Sequence, residues 1–381
     1  MTYRRALIPG ALGGLLLAGL LLWAGASSHA LSLPGTARVF GPEGTTQLRG
    51  WLAPWSYGLP SSEQYGNPAG APGNGRDYAE LYRTAMRVRY AVLVVLYPVG
   101  AALLIRRLTP GGKRRSASVV LALWGWGLVA GTLAVAVSAP WMVASGGQGS
   151  FRFLPRLAGS MGAGRPVLAA ASLVAALGAL GVALLARRER PQPSPSKVPA
   201  PAARLAATVG TLVIAVSLVG LSYDRVAARI QTGFTGSGLL SEPGDLLRQW
   251  LLLGGWTAPS HTGLGSWMFY RLPDALLLAV VWWGLRLLAD LLDRATVPAF
   301  ALGAVCVTVL GLLLDQLVTT LLDTSQGSGS FMYYAGRFGE GVPAALVFGL
   351  LAGSASALVV RSHTRDPASE SDQDLLIGAN S

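Results

Sequence analysis

The sequence predicts an all-α, polytopic membrane protein of about eight transmembrane helices, arranged as two tandem four-helix repeats of the same orientation. Three observations carry this expectation. Hydrophobic residues make up 52% of the 381 residues and charged residues only 13%, with a mean hydropathy of +0.48, a balance foreign to a single soluble core. Long apolar runs recur along the chain, several near the roughly twenty residues that a helix needs to cross about 30 Å of hydrocarbon. Landmarks in the loops after the first and third runs also return, in the same order, after the fifth and seventh.

Taken in order, the first run extends from Ala6 to about Ala26, behind Arg4 and Arg5. Ser28-His29-Ala30 resembles a signal-peptidase site, but the run is longer than a usual signal core and is expected to be retained. Residues 27–88 form a large extracytoplasmic loop, rich in Gly, Pro and Ser yet carrying Trp51, Trp55, Tyr65, Tyr78 and Tyr82. The second span, about Tyr90 to Ile105, is followed by Arg106, Arg107, Lys113, Arg114 and Arg115, a basic density that marks a cytoplasmic connection. A third span, Ser118 to Val143, and a fourth, Pro166 to Ala186, complete a first repeat over residues 1–190. The stretch Pro191 to Pro201 cannot continue a helix, so residues 191–203 read as an extended cytoplasmic linker. Residues 204–361 form the second repeat, with spans at about Leu205–Tyr223, Ala275–Leu288, Val297–Leu322 and Val342–Val360 and a large extracytoplasmic loop at 224–273. The tail 362–381, with Asp366, Glu370, Asp372 and Asp374, is expected to be disordered and cytoplasmic.

The formal charge of +12 is spread over connections and not gathered on one amphipathic face, which argues against nucleic acid and for membrane orientation. Eight spans with dense basic connections at 106–115 and 187–204 place both termini in the cytoplasm, in a plasma membrane. Lysine occurs only at Lys113 and Lys197, a bias of high-GC, actinobacterial type. Cys306, the sole cysteine, excludes an intrachain disulfide and reads as a buried, inert thiol.

The repeat rests on order. After the first span come Ala37-Arg38, then Leu48-Arg49-Gly50-Trp51-Leu52, Trp55 and Tyr82-Arg83; after the fifth come Ala228-Arg229, then Leu247-Arg248-Gln249-Trp250-Leu251, Trp256 and Tyr270-Arg271. Gly149-Ser150-Phe151 and Pro166 are matched by Gly329-Ser330-Phe331 and Pro343. An even number of spans per copy gives both copies one orientation. The recurring Leu-Arg-x-Trp-Leu suits a short amphipathic segment at headgroup level, with Trp in the aromatic belt and Arg snorkelling. The alternative is a substrate or lipid-headgroup site formed by Arg49, Trp51, Arg83, Arg248, Trp250 and Arg271.

Two ionisable residues fall within apolar runs, Arg286 and Asp315, the latter beside Gln316. Charge inside a membrane is costly and is by default a functional hypothesis. Asp290, one turn from Arg286, offers that arginine a structural explanation. Asp315 and Gln316 form the candidate proton or cation site, the alternative being that Asp315 pairs with an arginine or a hydroxyl of another span for packing, and Val135 stands at the registered position of the first copy. No catalytic residues are assigned: His29, His261 and His363 have no metal-ligand spacing, and phosphate-loop and nucleophile-elbow motifs are missing from the sequence. Neither metal nor cofactor is expected, and the expected partners are the lipid bilayer and other membrane or extracytoplasmic proteins. The readings that remain are a transporter or permease-type component, a non-catalytic accessory or assembly protein, and an intramembrane enzyme on a lipid-linked substrate, the last disfavoured by the want of repeated carboxylate pairs.

Overall fold

Helix accounts for nearly all the regular structure in the computed structural model, which describes residues 3–33, 35–58, 75–107, 113–146, 152–185, 199–234, 236–256, 264–291, 296–325 and 335–364. The helices are α1 (Tyr3–Ser27), α2 (Thr36–Leu52), α3 (Gly75–Arg107), α4 (Lys113–Ser145), α5 (Phe153–Met161), α6 (Arg165–Leu185), α7 (Ala200–Ala215), α8 (Asp224–Thr232), α9 (Gly244–Leu251), α10 (Leu264–Tyr270), α11 (Leu272–Leu291), α12 (Val297–Ser325) and α13 (Val342–Thr364). Eight of them, α1, α3, α4, α6, α7, α11, α12 and α13, are long and apolar enough to cross a membrane. The chain is therefore an integral, multi-pass membrane protein. The linker 191–198, the tail from 365 and the loop segment Gly149–Phe151 lie outside the described residues, as do Gly329–Phe331.

The eight long helices form two quartets. In the first, α1 packs between α3 and α6, and α4 touches both of those helices; in the second, α7 packs between α11 and α13, and α12 touches both. Small residues allow the close crossings, as membrane helices require when no solvent drives them together. Gly13 and Gly14 of α1 face Tyr97 and Pro98 of α3, while Gly127 and Gly131 of α4 face Ser172 and Leu168 of α6. Gly284 and Gly303 serve α11 against α12, and Gly349 and Gly353 serve α13 against α12. Some polar side chains inside the quartets are hydrogen-bonded across helices: Trp126 donates to the carbonyls of Leu96 and Tyr97 at 3.2 and 3.1 Å, and Ser356 to that of Ala206 at 2.8 Å.

The quartets meet along α4 and α12, whose backbones come together where Gly125 lies against Cys306. One flank of this seam is closed by contacts of α3 with α12 and of α4 with α13. The other flank is open, and an apolar groove runs down it between α4 and α6 on one side and α11 and α12 on the other.

The start of α1, the ends of α3, α6, α11 and α13 and the starts of α4, α7 and α12 share one end of the bundle; α2, α5, α8, α9 and α10 lie at the other. Helix α3 begins at Gly75, so residues 75–88 are helical and Arg89 lies inside a span. Asp77 in its first turn and Arg106 and Arg107 in its last complement the helix dipole. Helix α7 closes in a π-helical turn over Val216–Leu221, where Ser222 bonds back to Ser217 at 3.1 Å.

Candidate functional site: a polar cavity above the seam

Both Leu-Arg-x-Trp-Leu segments are helical and occupy the last turns of α2 and α9. Helix α2 rests on α6 of its quartet and α9 on α13 of its own. A tryptophan follows each and is docked beneath the loops. Trp55 is fully buried, donates to the carbonyl of Gly164 at 3.1 Å and accepts at its own carbonyl from Tyr90 at 2.8 Å. Trp256 pairs with the end of the fifth span, its N–H bonded to the Ser222 carbonyl at 2.8 Å, while Ser217 donates to the Leu251 carbonyl at 2.6 Å.

The loops entering the fourth and eighth spans also match. They read Gly162-Ala163-Gly164-Arg165-Pro166 and Gly339-Glu340-Gly341-Val342-Pro343, and the second glycine of each is left-handed, at φ 74° and 79°. In both loops that glycine's carbonyl accepts the first helical bond, from Leu168 at 3.2 Å and from Ala345 at 2.8 Å. A side chain at Gly164 would strike the Trp55 indole, and one at Gly341 would press on the Leu253 carbonyl. These loops were not found from the sequence. Forty-nine glycines make Gly-x-Gly pieces common, and only the backbone angle separates these two.

Where α5, α9, α12 and the turn at 337–341 meet, the loop-rich end of the seam holds a cavity of about 720 Å³. Asp315 and Gln316 line it from α12, Arg248 from α9, and Arg165 from the start of α6, with Asp245, Asp323, Arg337 and Glu340 around them. On α12 the cavity takes Leu312, Asp315, Gln316, Thr319, Thr320 and Asp323, one face at helical spacing. Among the described residues no hydrogen bond or ion pair engages the Asp315 carboxylate; the charged groups that act on it are Asp274, at the start of the sixth span, and Arg271 just before that span. Arg271 is committed to Asp274 at 3.0 Å and to the Gly255 carbonyl at 2.9 Å, and its guanidinium lies 4.7 Å from the Trp256 ring centre.

Gln316 is held at both ends of its amide. It donates to the Glu340 carbonyl and accepts from the Gly339 N–H, each at 2.8 Å. The residue therefore clamps the Gly-Glu-Gly turn over the cavity and leaves Asp315 as the unbonded member of the pair. Arg248 donates to Gln231 at 2.7 Å, and Gln231 donates in turn to Asp245 at 2.8 Å. Gln249, the variable residue of its motif, reaches across to the Ala158 carbonyl of α5 at 2.6 Å and so ties the second half to the first.

The other residues singled out from sequence are not brought here. Arg49 and Arg83 are exposed on the first half, Trp51 and Trp250 are half-buried on their short helices, and Arg286 stacks on Trp282 at 5.7 Å. The side chain of Asp290 lies outside the described residues. The two copies of the motif thus have different surroundings: Arg248 borders the cavity, and Arg49 faces open space. Arg165, Asp323, Arg337 and Glu340 were missed because each looks unremarkable alone, standing at a helix end or in a loop.

No group of three His, Cys, Asp or Glu side chains suited to a metal occurs among the described residues. A cavity of mixed charge without a metal cluster suits a polar or zwitterionic ligand held by paired charges. No family model, curated protein or solved structure matches the chain.

Proposed function

We propose that this chain is a permease-type membrane protein, built from two copies of a four-span unit in one orientation, which admits its ligand from the extracytoplasmic side into the cavity above the seam. The observation that carries the reading is the meeting of Arg248 and Asp315, singled out on separate grounds, in one cavity where the Asp315 carboxylate has no bonded partner among the described residues. A carboxylate set in a membrane span is costly and by default a functional hypothesis, which favours a ligand site over a purely structural role. Beneath it the quartets pack closely where Gly125 lies against Cys306, which supports reading the chain as a carrier at rest in an outward-facing state. Duplication is supported by the identical order of neighbours in the two quartets and by the paired left-handed glycines. Dense positive charge in the short connections supports cytoplasmic termini.

The test uses Thr319, which lines the cavity. In a Cys306→Ser background, Thr319→Cys is labelled with a membrane-impermeant maleimide in right-side-out and in inverted vesicles. Rapid labelling from the extracytoplasmic side and slower labelling from the cytoplasmic side is the expected result. Labelling confined to the extracytoplasmic side would replace transport by a holding role, and labelling confined to the cytoplasmic side would reverse the orientation.

A further inference from the structure

The apolar groove and the polar cavity share a rim. Arg165 lines the cavity and Pro166 the groove; the same is true of Gln316 and Leu317, and of Arg337 and Phe338. Helix α12 borders both, giving Asp315 and Thr319 to the cavity and Leu310, Leu314 and Leu317 to the groove. Along this helix the groove runs from Gly303 to Leu317, which at 1.5 Å per residue is about 21 Å, more than the half-thickness of a 30 Å hydrocarbon core. It is open on its flank, encloses about 850 Å³, and its only polar side chains among the described residues are Ser118, Trp124, Trp283 and Cys306. Trp124 spends its N–H on the Ala169 carbonyl at 2.9 Å. A slot of this length and polarity within the hydrocarbon takes an acyl chain, and the charged chamber at its mouth takes what that chain is attached to.

Charge identifies the headgroup. The cavity is lined by three arginines, Arg165, Arg248 and Arg337, against four carboxylates, Asp245, Asp315, Asp323 and Glu340. A headgroup with phosphate alone would add to the acidic excess. One with an ammonium beyond its phosphate is neutral overall and matches the order of groups, with Arg165 beside the groove for the phosphate and the Asp315 carboxylate for the ammonium.

We propose that groove and cavity form a single lipid site, whose occupant is a glycerophospholipid with a primary ammonium in its headgroup. This rests on the outward-facing cavity of the permease reading and names the class of molecule that enters it. The full chain is reconstituted in vesicles of equal phosphatidylethanolamine, phosphatidylglycerol and phosphatidylcholine, extracted gently, and its retained lipid identified by native mass spectrometry. The wild-type chain is expected to keep one phosphatidylethanolamine. Asp315→Asn, nearly isosteric, lowers its retention relative to phosphatidylglycerol about tenfold, the loss of one charge-assisted bond. Leu310→Trp, which fills the groove, abolishes retention while an unchanged thermal midpoint shows that the chain still folds. A wild-type chain that keeps no lipid, or keeps the three in the proportions of the vesicle, overturns the proposal, as does an unchanged preference in Asp315→Asn. Those outcomes leave the thiol-labelling result untouched, and one-sided labelling leaves the lipid result untouched, so the two readings fail separately.

Discussion

Arg89 is 2% exposed within the second span. It donates to Ser138 at 2.9 Å and to the carbonyl of Pro54, and lies 5.7 Å from the ring of Trp55. No carboxylate pairs with it among the described residues. Two acceptors and an aromatic face share the work of a counter-ion, an arrangement that suits a delocalised guanidinium far better than an ammonium. Arg89→Ala strands a buried carbonyl and a hydroxyl and empties the space beneath Trp55, so it should lower stability by about 2 to 4 kcal/mol. Arg89→Lys should recover less than half of that, both read as denaturation midpoints in detergent. Asp315 could be found by reading, because a carboxylate interrupts a leucine run. Arg89 could not: beside Arg83 and Arg87 it resembles one more basic residue at a membrane rim, and the helical extension from Gly75 is what draws it inside.

At the scale of elements, the two Leu-Arg-x-Trp-Leu helices were legible and their different duties were not. Periodicity gives an amphipathic turn in both, but the residue at the variable position decides what it meets. Gly50 meets open space, whereas Gln249 bridges to α5. Two substitutions of the same kind should therefore move stability in opposite directions. Gly164→Ala forces a left-handed alanine into the Trp55 indole and should cost more than about 2 kcal/mol. Gly50→Ala, in a helix with room around it, should add about 0.5 kcal/mol. Thermal midpoints of the two purified variants check both, and equal shifts would contradict the assigned loop geometry.

At the scale of the molecule, hydropathy made the eight spans legible, because each must satisfy its backbone internally and so declares itself by length. The seam was not legible. Which faces of α4 and α12 meet, and which flank stays open, depends on glycines whose neighbours lie far away in sequence. If the quartets are separate folding units, cutting the chain within the linker at 191–198 and co-expressing the two parts should yield a complex that copurifies, with Gln249→Ala weakening the association. Recovery of one half without the other would argue that the quartets are not independent units.

The open flank has one further consequence. Two identical quartets brought together as a homodimer would be bound by symmetry to show each feature twice, two grooves or none and a carboxylate on both sides of the axis. Carried in one polypeptide, the quartets are released from that obligation, and each could acquire what the other lacks. On the proposed duplication, Asp315 facing the cavity above the seam, with Val135 at the registered place in the other half, is what such release permits.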